Sequence, residues 1–141
     1  LFPQPRKSIE NFRLAAMELG LGPINVVAVS SFGTYDPRHI GVDAVVEFPP
    51  LGTHEKAAVK KPRKTLKKFK GHFYDYGLAA LHSSNQPEKP FKRYRSVMPG
   101  WDNTPRRQMD STIFLNSNPE VFSLWAASQI AATKTEFQSN A

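Results

Sequence analysis

Cysteine is absent from this chain of 141 residues, and its absence excludes several kinds of chemistry. Without a thiol there is no disulfide, no thiolate metal site and no cysteine nucleophile. The histidines lack the HExxH-type spacing of a zinc site, so we expect neither a metal nor another cofactor. No apolar run approaches the roughly 20 residues of a membrane-spanning helix. We therefore expect no membrane span, and we separately expect a cytoplasmic location.

Acidic residues are missing from one strongly basic segment. Residues 56–70 contain eight lysines and arginines and no acidic residue. The rest of the chain contains 11 basic and 12 acidic residues. The net charge of +7 therefore belongs to this segment, and we interpret residues 55–70 as a basic loop insertion. The loop is either solvated and partly disordered, or a binder of anions. The anion is then a nucleic acid stacked on nearby aromatics, a nucleotide-sugar or a phospholipid-linked glycan.

The chain has the length of one domain with a hydrophobic core. Apolar periodicity and stop signals predict a helix that begins at Ser8 and a second, long helix that begins after Asn118. Between them the pattern predicts strands at 24–29, 43–48 and 94–98, a short helix at 78–82, and loops at 30–40 and 83–90. Short buried strands alternating with helices predict an α/β fold with a parallel sheet. Ligands of such folds bind at the carboxyl ends of strands.

The segment 99–107 is the richest in binding chemistry. It reads Pro99-Gly100-Trp101-Asp102-Asn103-Thr104-Pro105-Arg106-Arg107. Its aromatic face, carboxylate, carboxamide and forked guanidinium donors suit a polar ring such as a sugar. The alternative is a surface turn with Arg–Asp ion pairs, in which Trp101 belongs to the core. Because Arg106 and Arg107 are neighbours, we expect only one of them to face a ligand.

Two further sites accompany this segment. Glu47 ends an otherwise apolar strand, where a carboxylate needs a partner or a ligand. The structural alternative is a salt bridge with Arg106 or Arg107. Tyr74, Asp75 and Tyr76 either line the same cleft or form a helix cap with packed aromatics.

Three stretches of the chain resemble one protein family. They are Gly41-Val42-Asp43-Ala44-Val45-Val46-Glu47-Phe48-Pro49-Pro50, then Tyr74-Asp75-Tyr76, then Tyr94-Arg95 with the segment 99–107. Together with Asn118-Pro119-Glu120-Val121-Phe122 and Trp125, they resemble the WbsX-type glycosyltransferases, which are similar to glycoside hydrolase family 99, the endo-α-mannosidases. The resemblance extends from about Asn11 to Ala132.

The resemblance implies a (β/α)₈ TIM-type barrel, of which residues 1–141 form a single partial domain in the later half. It implies glycosidic bond formation or cleavage in surface polysaccharide, O-antigen or lipopolysaccharide metabolism. Under the resemblance, Asp102, Asn103, Arg106 and Arg107 are sugar-binding or site-shaping residues, and Glu47 is a carboxylate that faces the site. The chemistry of the side chains adds Trp101, Tyr74, Asp75 and Tyr76 as further candidates for substrate binding.

The resemblance does not place the catalytic groups in this chain. The family's catalytic carboxylates lie in an N-E-W-x-E-G string that the sequence lacks. Glycoside chemistry normally needs two carboxyls, and Glu47 and Asp102 are the candidates that remain. We expect an isolated chain without full activity, a glycan or nucleotide-sugar substrate, and the remainder of the barrel as partner. Nucleic-acid binding through residues 56–70 is the alternative function.

Overall fold

The computed structural model describes residues 3–30, 36–54, 56–65 and 67–139. Parts of the predicted 30–40 loop and of the basic loop lie outside the described residues. In chain order the elements are α1 (Pro5–Glu18), β1 (Val27–Ser30), α2 (Pro37–Ile40), β2 (Ala44–Glu47), β3 (His72–Asp75), α3 (Tyr76–Ser84), β4 (Arg93–Tyr94), α4 (Thr104–Arg107), β5 (Thr112–Leu115) and α5 (Pro119–Ser139).

The larger of two sheets has three parallel strands in the order β1-β2-β4. Ala44 and Val45 of the central strand β2 are buried, as is typical of parallel strands that are covered on both faces. The register places Val45 of β2 opposite Arg93 of β4. The predicted α/β class with parallel strands is therefore confirmed.

A second sheet, which we call the accessory sheet, consists of the parallel strands β3 and β5. Ala58 forms an antiparallel bridge to Tyr74 at one edge, and Asp102 forms another to Ile113 at the other edge. The sequence predicted one sheet, and both strands of the accessory sheet were missed. Each of them leads directly into a helix, β3 into α3 and β5 towards α5.

The core lies where α3, α5 and the accessory sheet meet. Tyr76 of α3 packs edge-on against Trp125 of α5, with ring centroids 5.7 Å apart. The Tyr76 hydroxyl donates a hydrogen bond to the carbonyl oxygen of Met98 at 2.6 Å. Further members of this cluster are Ala57, Ala79, Ala80 and Phe114. No helix in the described ranges is both long and apolar enough to cross a bilayer.

The predicted helices and strands that the structure contains differ from their observed counterparts mainly in their ends. The helix start at Asn118 is confirmed, because its Oδ1 accepts a hydrogen bond from the Val121 amide at 2.9 Å. The strand predicted at 94–98 is only the two-residue β4. It stops there because the Ser96 amide donates to the side chain of Glu47 instead of to a neighbouring backbone.

Candidate functional site

Glu47 is the last residue of β2 and is held by β4. Its Oε1 lies 3.4 Å from Nη1 of Arg93, and its Oε2 accepts from the Ser96 amide at 3.1 Å. The Ser96 hydroxyl donates to the Glu47 carbonyl at 2.9 Å. The predicted alternative of a salt bridge with Arg106 or Arg107 was wrong in its partner. The ion pair forms with Arg93 because the β2–β4 register brings that guanidinium to the same sheet face.

Arg93 also belongs to a buried charge network that the sequence reasoning missed. Glu136 of α5 accepts hydrogen bonds from Arg93 and from Arg95, the latter at 2.5 Å from Nη2. All three side chains are at most 4% exposed. Arg95 donates further to Gln129 Oε1 at 3.3 Å and to the Gln86 carbonyl at 3.1 Å. The positive charges of the two buried arginines are thus paired with the carboxylates of Glu136 and Glu47, as buried charges require.

The electrostatics of Glu136 follow from two opposed effects. Burial raises the pKa of this carboxyl, because it disfavours the charged form. The hydrogen bonds and charges of Arg95 and Arg93 outweigh burial, so the pKa of Glu136 lies below its ordinary value. The only sequence signal for this network was Arg95 within the strand predicted at 94–98 and Arg93 just before it.

The segment 101–103 is bound along the edge of β5. The Trp101 carbonyl accepts from the Phe114 amide at 2.8 Å, and the Asn103 amide donates to the Thr112 carbonyl at 3.3 Å. Asn103 also uses its side chain, whose Oδ1 accepts from the Thr112 amide at 2.7 Å. The accessory sheet therefore fixes the backbone that carries the predicted site.

Trp101 lies at the boundary between this segment and the core. It is half-buried and packs against the cluster around Tyr76 and Trp125. Its indole Nε1 is buried, and within the described residues it has no hydrogen-bond partner. Trp101 therefore packs partly against the core, while part of the residue stays accessible.

Asp102, Arg106 and Arg107 are exposed around the single turn of α4. Asp102 Oδ1 accepts from the amide and the hydroxyl of Thr104, at 2.8 and 2.5 Å. The amides of both arginines donate to the Asn103 carbonyl, at 3.0 and 2.9 Å. Among the ion pairs of the described residues, none involves Arg106 or Arg107. The alternative of a turn closed by Arg–Asp pairs is therefore not what the described part of the chain forms.

Tyr74 and Asp75 lie at the end of β3, on the same accessory sheet. Tyr74 is half-buried, stacks on Phe114 at 5.2 Å between ring centroids, and meets the edge of His54 at 5.3 Å. Asp75 Oδ1 accepts from the Leu78 amide at 2.9 Å and Oδ2 from Asn116 Nδ2 at 2.8 Å. These bonds lower the pKa of Asp75 and make it the N-cap of α3, as in the predicted cap alternative.

Tyr76 differs from its two neighbours because it is fully buried. Burial raises the pKa of its phenol, and its hydroxyl is already bonded to Met98. Its place in the core gives Tyr76 a packing role in this structure, and it does not line the surface around Asp102.

The candidate residues therefore fall into two groups. Tyr74, Asp75 and the segment 101–107 surround the accessory sheet, whereas Glu47 lies at the end of the larger sheet. Over the described ranges, no hydrogen bond or ion pair joins Glu47 directly to residues 101–107. The same ranges hold no group of three His, Asp or Glu side chains placed to bind a metal ion.

Comparison of the sequence with known protein families shows which family the chain belongs to. The family model described as Glycosyltransferase WbsX matches residues 1–141. The chain belongs to the WbsX glycosyltransferase family. The predicted resemblance to WbsX proteins is thereby confirmed, and WbsX membership suggests a carbohydrate-active role. It gives no support to the nucleic-acid alternative.

Two curated relatives agree with WbsX membership. They are the uncharacterised proteins WxcX of Xanthomonas campestris pv. campestris, from strain B100 and strain ATCC 33913, and each is 33% identical over 127 residues. The alignment covers 90% of this chain but only 18% of each relative. The WbsX chain thus spans less than a fifth of the length of the curated relatives it matches. No solved structure matches it.

Proposed function

We propose that this WbsX-family chain is the sugar-binding part of an enzyme that forms or cleaves glycosidic bonds. The substrate is a glycan or a nucleotide-sugar, and the metabolic setting is surface polysaccharide or O-antigen. Family membership supports the carbohydrate class, and the chemistry of residues 101–107 supports the location of the site.

One observation carries the proposed location. Arg106 and Arg107 are exposed, make no ion pair within the described residues, and are held close to Asp102 by a fixed backbone. Guanidinium forks and a carboxylate in this arrangement can donate to and accept from the hydroxyls of a sugar. Trp101 adds an aromatic surface at the edge of the same turn, which suits the apolar face of a sugar ring.

The proposal includes the rest of a barrel. In the proposed enzyme, the strands β1, β2 and β4 are neighbouring strands of a (β/α)₈ barrel, and further parts of the enzyme complete the barrel. Large apolar side chains on the surfaces of α1 and α5 support this, because they would be covered in a larger fold; they are Phe12, Leu14, Met17, Leu124 and Ile130. The main catalytic carboxylates then lie in that remainder. Glu47 and Asp102 stay candidates for carboxylates that assist.

The experiment is an NMR titration of the chain with mannose- and rhamnose-containing oligosaccharides. The two indole N–H signals provide an internal comparison, since Trp101 lies at the proposed site and Trp125 is in the core. We expect the Trp101 indole signal to shift on saturation with a sugar while the Trp125 signal stays in place.

Substitutions at the proposed sugar site test where on the surface the sugar binds. Arg106→Gln and Asp102→Ala should weaken binding by about tenfold each, the value of one lost hydrogen bond to a charged group. The matched control is Arg38→Gln, an exposed arginine on α2. Unchanged binding in both site variants, or equal weakening in the control, would show that the sugar binds elsewhere.

A further inference from the structure

Within the basic loop, the stretch 59–70 is held at both ends by backbone hydrogen bonds, at its start to β3 and at its end to the turn that precedes β5. At its start the Val59 amide donates to the Phe73 carbonyl at 3.0 Å. At its end the amides of Lys70 and Gly71 both donate to the Met109 carbonyl, at 2.8 and 2.9 Å. The lysines and arginines of the described residues between these anchors are exposed.

The cations of this loop are presented to solvent. Lys61 donates to the Phe69 carbonyl at 2.9 Å and lies over the Phe69 ring at 5.6 Å. The remaining cations are exposed and form no ion pair within the described residues; they are Lys60, Arg63, Lys64, Lys67, Lys68 and Lys70. Because the rest of the chain is close to neutral, this loop carries the excess positive charge of the protein.

The shape and chemistry of the loop favour an extended anionic surface over a small ligand or a nucleic acid. One phosphate or diphosphate needs two or three converging cations, whereas these six exposed cations are distributed along residues 60–70. The aromatic rings needed to stack nucleic-acid bases are occupied, since Phe69 packs against Phe73 at 5.0 Å and is covered by Lys61. An anionic bilayer requires only charge density near its plane.

We propose that the basic loop anchors this protein to a membrane surface that carries anionic lipid. Each lysine or arginine near such a surface contributes roughly a fivefold gain in partitioning, and the attraction decays within a Debye length. The loop therefore acts as an electrostatic contact that salt reverses, with no inserted segment. This inference uses only the loop and the accessory sheet and does not depend on the sugar site.

The test is sedimentation of the chain with vesicles of 30% phosphatidylglycerol in phosphatidylcholine. We expect binding that falls steeply between 50 and 500 mM NaCl, and no binding to vesicles of phosphatidylcholine alone. The variant Lys64→Gln, Lys67→Gln, Lys68→Gln should lose on the order of a hundredfold in partitioning. Its circular dichroism spectrum should match the wild type, because all three side chains are exposed.

A matched triple variant separates the loop from total charge. Lys7→Gln, Lys89→Gln, Lys134→Gln removes the same charge outside the loop and should change partitioning by less than threefold. Equal losses in the two triples would overturn the proposal, since net charge alone would then explain the binding. Tighter binding to a single-stranded oligonucleotide than to the anionic vesicles would overturn it as well.

Discussion

Arg93 connects three elements through one guanidinium group. It belongs to β4, pairs with Glu47 at the end of β2, and bonds Glu136 on α5. Its side chain is 4% exposed, so water cannot replace either carboxylate. Removal of the Arg93 guanidinium would take away the cation paired with Glu47 and would leave Glu136 with Arg95 alone. A carboxylate in the protein interior that loses its cation is costly.

We predict that Arg93→Met destabilises the chain strongly. The expected loss in the free energy of unfolding is about 3–5 kcal/mol, the range for breaking a buried ion pair. Urea denaturation followed by circular dichroism measures it. Arg38→Met is the control, because Arg38 pairs with Asp36 on the surface, and its midpoint should not move. A loss below about 1 kcal/mol for Arg93→Met would mean that the network does not stabilise the fold.

The sequence predicted that the Glu47 carboxylate has a compensating partner or ligand, but it did not predict which residue that partner is. A carboxylate at the end of an apolar strand implies a compensating group from the cost of burial alone. Arg93 and Arg95 were visible only as charges in or beside a strand candidate. Their link to Glu136 joins residues 41 to 43 positions apart, which depends on how α5 packs and not on any local pattern.

At the scale of elements, the accessory sheet explains why part of the fold was missed. The sequence of β3 is His72-Phe73-Tyr74-Asp75. Its polar end residues make it resemble the loop before the following helix more than a strand. β5 has the β-branched and aromatic content of a strand, yet its partner lies about 40 residues earlier. Parallel pairing over such a separation depends on the packing of α3 against α5, whereas β1 and β2 are adjacent along the chain and were predicted.

Asp75 lies where the accessory sheet joins α3. We predict that substitutions can distinguish the contribution of its capping hydrogen bond to stability from that of its negative charge. Asp75→Ala should cost about 1–2 kcal/mol in the free energy of unfolding, because the Leu78 amide loses its acceptor. Asp75→Asn should cost clearly less, since asparagine caps helices about as well as aspartate. Thermal denaturation of both variants measures the difference. Equal losses would contradict the cap assignment.

The same pair of variants tests whether Asp75 contacts a sugar. A capping residue affects binding only through stability, so Asp75→Asn should bind oligosaccharide as the wild type does. Weaker binding by a stable Asp75→Asn protein would give the carboxylate a direct role in the site.

At the scale of the whole molecule, two kinds of charge have separate roles. The lysines of the basic loop are exposed and give the protein its net positive charge. The network of Arg93, Arg95, Glu47 and Glu136 adds nothing to the net charge but connects the end of the larger sheet to α5. Salt should therefore weaken contacts made by the loop far more than it weakens the fold, because buried pairs are poorly screened.

The acid stability of the molecule follows from its carboxylates. The pKa values of Asp43, Asp75 and Glu136 are lowered, and the main favourable causes are hydrogen bonds to Arg13, to the Leu78 amide and to Arg95. A carboxyl with a lowered pKa in the folded state binds fewer protons there than in the unfolded chain. Its contribution is therefore complete above its ordinary pKa and is lost as the pH falls through the folded value.

We predict that the free energy of unfolding decreases as the pH falls below the ordinary pKa of 4.5 for Glu136. Glu136→Gln should be less stable than the wild type at pH 7, because Arg95 loses its carboxylate and Arg93 keeps only that of Glu47. The difference between the two proteins should shrink as the pH falls, since protonation removes the same charge from the wild type. Urea titrations at steps from pH 7 to pH 3 measure this, with refolding at pH 7 as the control for reversibility. A difference that stays constant over this range would show that the charge of Glu136 does not contribute to stability.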